Sequence, residues 1–336
     1  MVKPILITLA AALVLAVAWS ADQWRQRPDL NHYREYFAPH RDGAAAAPPG
    51  AQLEVTYFGT STLLISDGET ALMTDGFFTR PDLGTLLFAG LAPDRQLITR
   101  ALRQAGITSL AAVIPVHSHH DHAMDAPEVA RQTGALLVGS ESTANIGRGW
   151  GLPEHQIRVP RSGEPLRFGR FTVTLLVSKH APMPRLIARI SGHGKSIEQP
   201  LQHPAALGDY KEGGSFAVVI EHPEGNLLVQ GSAGYVPGLL QGIQADTVFL
   251  GIGGLSKQSA AYREAYYRET VAAVGASRVI PIHWDDFTLP YSTPLQPMNL
   301  LINDFTVEMD FILGAAESVA GTQVIILPRW GSSLLL

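Results

Sequence analysis

Between His117 and His122 the sequence His-Ser-His-His-Asp-His sets four histidines and one aspartate into six residues. Imidazole and carboxylate at this density are the donors of a divalent-metal site, and packing alone does not account for the cluster. Zinc is the expected ion, and iron or manganese accept the same ligands. His117 and His119 are two apart, and Asp121 and His122 follow. That spacing fits a tight loop projecting side chains to two sides, so one segment could feed two metals. There is no cysteine in the chain. Disulfides, thiolate nucleophiles and thiolate ligands are excluded, and any metal site must use imidazole and carboxylate.

Something must bring distant ligands to that segment. Three histidines share one context, each following a strongly apolar run: His117 after "AAVIPV", His180 after "TVTLLVSK" and His283 after "VIPI". Residues on loops at strand ends can converge while the sheets behind them stay rigid. "LEVTYFG", "STLLIS" and "TALMTD" read as short strands, and "TRALRQAG" as a helix ended by Gly106. "LAAVIPV" reads as a strand buried on both faces. "APEVARQTG" is the next helix, with Asp125 placed to cap it. "SFAVVIEH" and "NLLVQGS" form a hairpin around "PEGN". "DTVFLGIGG", "RVIPIHW" and "TQVIILPRWG" are strands, and "AYREAYYRETVAAVGA" is a helix whose aromatics face the core. The order is β-rich, β/α, β-rich, β/α, which suggests two sheets with helices outside, in one domain of two similar halves.

The pattern His117-x-His119-x-Asp121-His122 resembles the signature of the metallo-β-lactamase superfamily, and His180 and His283 fall where that family places its other ligands. "FGTSTLLIS", "LMTDGFF" and "IPIHWDDF" resemble the branch with the lactonase-like and N-acyl-phosphatidylethanolamine phospholipase D-like proteins. The resemblance covers roughly residues 52–331. It implies an α/β fold, a four-layer αββα sandwich with the metal site at the edge of the two sheets. It also implies that His117, His119 and His180 bind one metal, and that Asp121, His122 and His283 bind a second. Asp75, in "TDG", matches the family's acidic residue that supports the site from behind a ligand. His120, between ligands, is expected to support them from behind or to face outward. Two three-ligand sets leave open positions, as a catalytic site requires.

One position departs from the pattern. Most of the family has an aspartate bridging the metals, and the matching segment here is "LLVQGSAGY", with Ser232 at that place. A serine hydroxyl is a weak ligand and brings no charge. Asp246 precedes the next strand and is no substitute. Three outcomes stay open: two metals bridged only by hydroxide, one tight metal with one weak, or an inactive site.

The chemistry implied is metal-dependent hydrolysis. Bound zinc lowers the pKa of water from 15.7 to about 7, and an ester, lactone, amide or phosphodiester is the expected substrate class. A β-lactam is an alternative substrate. A non-catalytic metal-binding or scaffold protein on the same fold is the alternative function. Asp121 is expected to orient the attacking water as well as bind metal, and Asp75 to fix a ligand imidazole. Residues 181–215 are long and rich in glycine and proline, a candidate lid in which Arg185, Lys195, Tyr210 and Lys211 could meet a polar or anionic substrate. Tyr235, just after the serine turn, faces either the pocket or the core. His32, His40, His155, His193, His203 and His222 are expected at the surface.

Composition bounds the partners. The chain has 336 residues, 46% of them hydrophobic, with 32 glycines, 23 prolines and a formal charge of −5. That suits a loop-rich globular domain and disfavours nucleic acid. A small molecule or lipid is the expected partner. Lys3 and the apolar run "PILITLAAALVLAVAW" are followed by "AWS" (18–20), which reads as a signal cleaved before Ala21 or as an uncleaved anchor. The expected location is periplasmic or secreted, with membrane association through residues 4–19 if the segment is retained. The reading divides the chain into a signal or anchor (1–20), a linker with a short helix (21–51) and the folded domain (52–336).

Overall fold

The structure, a computed structural model, describes residues 2–38, 53–319 and 321–334. Helix α1 (Val2–Arg25) leads the chain. The first half then contributes β1 (Glu54–Gly59), β2 (Thr62–Ser66), β3 (Ala71–Thr74), α2 (Leu83–Phe88), α3 (Arg95–Gln104), β4 (Ala112–Ile114), α4 (His120–Ala123), α5 (Ala126–Thr133), β5 (Leu136–Val138), α6 (Glu141–Gly149) and β6 (Ile157–Arg158). The second half contributes β7 (Pro165–Phe168), β8 (Phe171–Ser178), α7 (Arg185–Ile190), β9 (Ser215–Glu221), β10 (Leu227–Gln230), β11 (Thr247–Gly251), α8 (Ala260–Thr270), β12 (Arg278–Ile282), α9 (Phe305–Glu317), β13 (Gln323–Val324) and β14 (Ser332–Leu334).

These strands form two seven-stranded sheets, β14-β1-β2-β3-β4-β5-β6 and β13-β12-β11-β10-β9-β8-β7. In each, an antiparallel meander passes into a parallel β/α run: β3 to β6 in one sheet, β10 to β13 in the other. The two halves thus repeat one plan. Strand period decides the layers. In β2, Leu63 and Ile65 face the other sheet, where they join Val218, Val229 and Phe249, which share one face there. Leu64 faces outward, with Met73 and Val113, onto Ile98, Leu102 and Val129 of α3 and α5. On the other sheet α8 and α9 supply Tyr266, Tyr267, Met309 and Ile312. The result is the four-layer αββα sandwich the sequence implied.

Several local expectations are corrected. The strand read over "LAAVIPV" ends at Ile114, since Pro115 has no N–H to continue the ladder. "TQVIILPRWG" joins the sheet as a strand only at Gln323–Val324, and Ile326 then bridges to Phe37; beyond Pro328 and Trp330 (φ 64°) the chain crosses to the first sheet, where Glu54 aligns with Leu334. Asp125 does not cap α5 with its side chain. Its carboxylate instead accepts from the N–H groups of Phe78 and Thr79 at 2.8 and 2.6 Å and from the Thr79 hydroxyl at 2.6 Å. It thereby ties the loop after β3 to the helix start.

The segment read as linker is partly built into the body. Residues 21–25 continue α1, and Leu30–Tyr36 forms a 3-10 turn whose Tyr33 is buried. The Tyr33 hydroxyl donates to Asp310 at 2.7 Å, and Arg27 pairs with Asp286 at 2.7 Å. His40 and Gln52 lie outside the described residues. Among the described residues no helix is long and apolar enough to cross a membrane.

Candidate metal centre

The parallel strands deliver the site. β3 ends beside Asp75, β4 leads to His117, β10 leads to Ser232 and β12 leads to His283. Loops at the carboxyl ends of parallel strands are where open α/β sheets place ligands. His180 arrives from the end of β8. The loop after β4 carries His117 and His119, and the single turn α4 carries His120, Asp121 and His122.

Six side chains fall into two groups. The ligand atoms of His117, His119 and His180 lie within 4.8 Å of one another, and so do those of Asp121, His122 and His283. The imidazole nitrogens His117 Nε2 and His119 Nδ1 are 3.0 Å apart, and His122 Nε2 and His283 Nε2 are 3.2 Å apart. One carboxylate oxygen of Asp121 lies 3.4 Å from His122 Nε2 and 3.3 Å from His283 Nε2. The His117 and His122 rings approach to 3.9 Å between centroids, so the groups are contiguous. His117, His119, Asp121 and His122 are buried; His180 and His283 are half-buried and leave the cluster a mouth.

The donor set fits a pair of metal ions. Burial, then mutual repulsion, holds His117 and His119 well below the usual histidine range, so both rings are neutral, the state in which imidazole accepts a metal. His117 Nδ1 and His119 Nε2, on the far side of each ring from the converging nitrogens, are buried without a hydrogen-bond partner. His180 donates Nδ1–H to the Ala181 carbonyl at 2.9 Å, leaving the Nε2 lone pair available. Burial opposes ionisation of Asp121, but His122, His120 and His283 outweigh it and hold its carboxyl well below the ordinary value.

Asp75 orders this arrangement from behind. It accepts from His122 Nδ1 at 2.7 Å and from the Val116 N–H at 2.9 Å, so it fixes both the His122 imidazole and the strand end that launches His117. Burial lowers the pKa of His122, yet Asp75 and then Asp121 overcome it and raise the value. That is the direction in which a carboxylate makes an imidazole a stronger ligand. Asp75 and His283 both sit at positive φ, 54° and 57°, a strained backbone state for such residues that is typical of functional sites.

The serine turn sits against His180. Ser232 is buried, and its hydroxyl accepts from the Ala181 N–H at 2.9 Å. A Cβ on Gly234 would stand 2.1 Å from the Lys179 carbonyl, so only glycine permits this approach. Asp246 instead accepts from the Asn226 N–H in the hairpin turn, away from the cluster.

Other expectations resolve as follows. His120 is buried against Phe77 and Phe287, with Nδ1 3.6 Å from Asp121. Arg185 and Lys195 are exposed and Lys211 is partly so. Tyr210 is not available to a substrate: it is buried, and its hydroxyl contacts His203 Nδ1 and the Leu91 carbonyl. Tyr235 packs on Tyr262 and Tyr266. His32 and His155 are exposed. His222 is not at the surface; it is buried on Phe171, with Nε2 3.2 Å from Asp67. His203 is half-buried against Trp150. His193 meets the His180 ring edge to face with centroids 5.2 Å apart, and its Nδ1 lies 2.9 Å from Glu212. Reading it as a surface residue missed this role, because nothing local marks a loop histidine that folds back onto a ligand. Asp285 was also missed: it follows His283 by two residues and accepts from Thr60 N–H, the Tyr57 hydroxyl and Arg80.

No family model matches the chain. It is similar to a UPF0173 metal-dependent hydrolase of Myxococcus xanthus, 24% identical over 307 residues, covering 89% of this chain and 90% of that protein. A UPF0173 metal-dependent hydrolase of Heliobacterium modesticaldum is 27% identical over 125 residues, covering 37% of this chain and 45% of the other. The chain therefore spans under half the length of that relative. Among solved structures, Igni18, a metallo hydrolase of the archaeon Ignicoccus hospitalis, aligns with a TM-score of 0.51 at 17% identity, covering 84% of this chain and 98% of that one. The fold, two mixed seven-stranded sheets with helices outside, is shared with that protein.

Proposed function

We propose that the protein is a metal-dependent hydrolase acting on an ester, lactone, amide or phosphodiester bond in a small molecule or lipid. The observation that carries this reading is the pair of adjoining three-donor groups, His117/His119/His180 and Asp121/His122/His283, at one sheet edge. The names of the similar proteins support it. Each group would hold one ion, with zinc the best match to the donors and manganese or iron compatible. Such ions supply Lewis acidity and water activated at neutral pH.

The chain's own groups have defined work in this reading. His180 and His283, half-buried, border the opening through which substrate enters. Asp121, ionised and in contact with His122 and His283, orients the attacking water. Asp75 holds His122 and the loop of His117 in register. The hydroxyl of Ser232 is engaged by the Ala181 N–H and adds no charge between the groups, which favours a less tightly held second ion. The sequence motifs at 58–66, 72–78 and 280–287 favour a lactone or phosphodiester substrate, as in the branch they resemble. Export through residues 1–20, to the periplasm or beyond, belongs to the same proposal and rests on the sequence of that segment.

Purified protein should carry one to two equivalents of zinc per chain and hydrolyse at least one member of a panel of β-lactams, lactones, esters and phosphodiesters in a chelator-sensitive way. Metal-free protein whose stability does not change after His119→Ala would reject the reading.

A further inference from the structure

A second cavity, of about 750 Å³, is lined by Arg80, Trp284, Tyr291, Arg329 and Trp330 and by none of the six clustered donors. Its volume is that of a small-molecule site. Its lining combines aromatic and aliphatic walls, including Leu97 and Leu295, with three arginines and several hydroxyl and amide groups. Arg80 Nε, Arg329 Nε and Nη1, Trp284 Nε1 and the Tyr291 hydroxyl are all buried without a hydrogen-bond partner. Arginine and indole nitrogens can only donate. Four residues of the lining thus carry unpaired buried polar atoms, and those of Arg80, Arg329 and Trp284 are obligate donors.

The charges do not balance either. Arg80 is 4% exposed and Arg329 is 8% exposed. Asp285 pairs with Arg80 at 2.6 Å, and its other oxygen is taken by Thr60 N–H and Tyr57. Among the described residues Arg329 has no carboxylate partner; its guanidinium lies 4.4 Å from the centre of the Tyr291 ring. Burial, and then repulsion from Arg80, pulls the Arg329 pKa down to about 10. A buried cation with free donors is costly unless an anion completes it. The arrangement is also enforced by the backbone: a Cβ on Gly59 would stand 2.0 Å from Arg80 Nη2 and 2.9 Å from Asp285 Oδ2.

We propose that this cavity binds an amphipathic oxoanion, its carboxylate or phosphate held by Arg329 and Arg80 with Tyr291 and Trp284, and its apolar body against Trp330, Leu97 and Leu295. The inference goes beyond the hydrolytic reading and does not depend on it. The cavity wall is nevertheless continuous with the metal centre. Trp284 follows His283 in the chain, and the His283 N–H donates to the Thr60 carbonyl at 2.6 Å, beside the Asp285 contact.

The test is binding to the full-length, metal-loaded protein, read by tryptophan fluorescence and by the shift of the thermal midpoint. The probes are dodecanoate, dodecyl phosphate, dodecanol and inorganic phosphate. Dodecanoate or dodecyl phosphate should bind and raise the midpoint, and the tighter of the two identifies the head group. Dodecanol should bind at least about tenfold more weakly, as expected for a lost charged hydrogen bond. Arg329→Met should weaken the anionic probe by about tenfold or more on the same grounds. Should that variant not fold, Tyr291→Phe removes one hydroxyl and should cost about fivefold. Dodecanol binding as well as the anions, no anionic probe binding, or undiminished binding by the folded variant would each overturn the proposal. The last outcome would mean that the anion sits on the metals instead.

Discussion

The Ser232 hydroxyl accepts a hydrogen bond from the Ala181 N–H at 2.9 Å, immediately beyond the ring of His180. The residue at the expected bridging position therefore acts on the backbone that carries a ligand. Ser232→Ala should cost about 1 kcal/mol of stability through the unpaired N–H. Ser232→Asp should raise the occupancy of the second metal, because it adds a charge where the resemblance puts a bridging carboxylate. Metal per chain, measured after dialysis against a weak chelator, decides it. Occupancy that does not respond would show that Ser232 does not face both groups.

Asp75 is the next lever. It binds His122 Nδ1 and the Val116 N–H together. Asp75→Asn keeps the shape but removes the charge, and should lower metal affinity about 10–100-fold. Asp75→Ala should add about 1–3 kcal/mol of lost stability, since a buried N–H is left unpaired. Competitive chelator titration and denaturant unfolding separate the two effects. Wild-type affinity in the asparagine variant would count against a supporting role for Asp75.

Asp285 should behave as a structural anchor for His283. Its carboxylate is fully buried and satisfies Thr60, Tyr57 and Arg80. Burial raises its pKa, but Arg80 and then the Thr60 N–H prevail and hold it below the ordinary value. Asp285→Ala leaves Arg80 as an uncompensated buried cation and should cost about 3–5 kcal/mol. Arg80→Met with Asp285→Leu should recover much of that loss, because replacing a buried pair by apolar groups is often near neutral. Equal destabilisation in single and double variants would contradict this account.

The layers and the convergence of the six side chains were legible because they rest on strong local signals. Apolar runs such as 110–116 and 278–282 end in histidines, and strand period sorts Leu63 from Leu64 onto opposite faces. What was not legible depends on tertiary closure. Asp125 precedes a helix and reads as a cap, yet Phe78 and Thr79 offer three donors and win its carboxylate. His222 lies in a polar hairpin turn and reads as surface, yet Asp67 and Phe171 enclose it. Tyr33 lies in a polar segment read as linker, yet Phe305 and Asp310 give its ring and hydroxyl a buried seat. Each case has a partner more than thirty residues away or on another element, where local pattern carries no information.

Glu308 should make stability fall as pH rises. It is fully buried in α9, where it accepts from Asn303 Nδ2 at 2.7 Å and from the Ser256 N–H at 3.1 Å. Burial outweighs those donors and pushes its pKa up from 4.5 to about 8. A group raised in the folded state contributes stability that is fully present below its unfolded pKa and is lost as pH rises through the folded one. The window is therefore pH 4.5 to 8, and the loss is on the order of a few kcal/mol. Asp125, pushed up to about 6, acts in the same direction over a lower window, so the comparison must be between variants. Glu308→Gln is neutral throughout, but its amide nitrogen cannot accept from Asn303 or Ser256. At pH 5 it should be less stable than wild type by about 1–3 kcal/mol. By pH 9 that gap should close or reverse. Denaturant unfolding at pH 5, 7 and 9 checks it, and parallel profiles for the two proteins would show that Glu308 stays ionised in the fold.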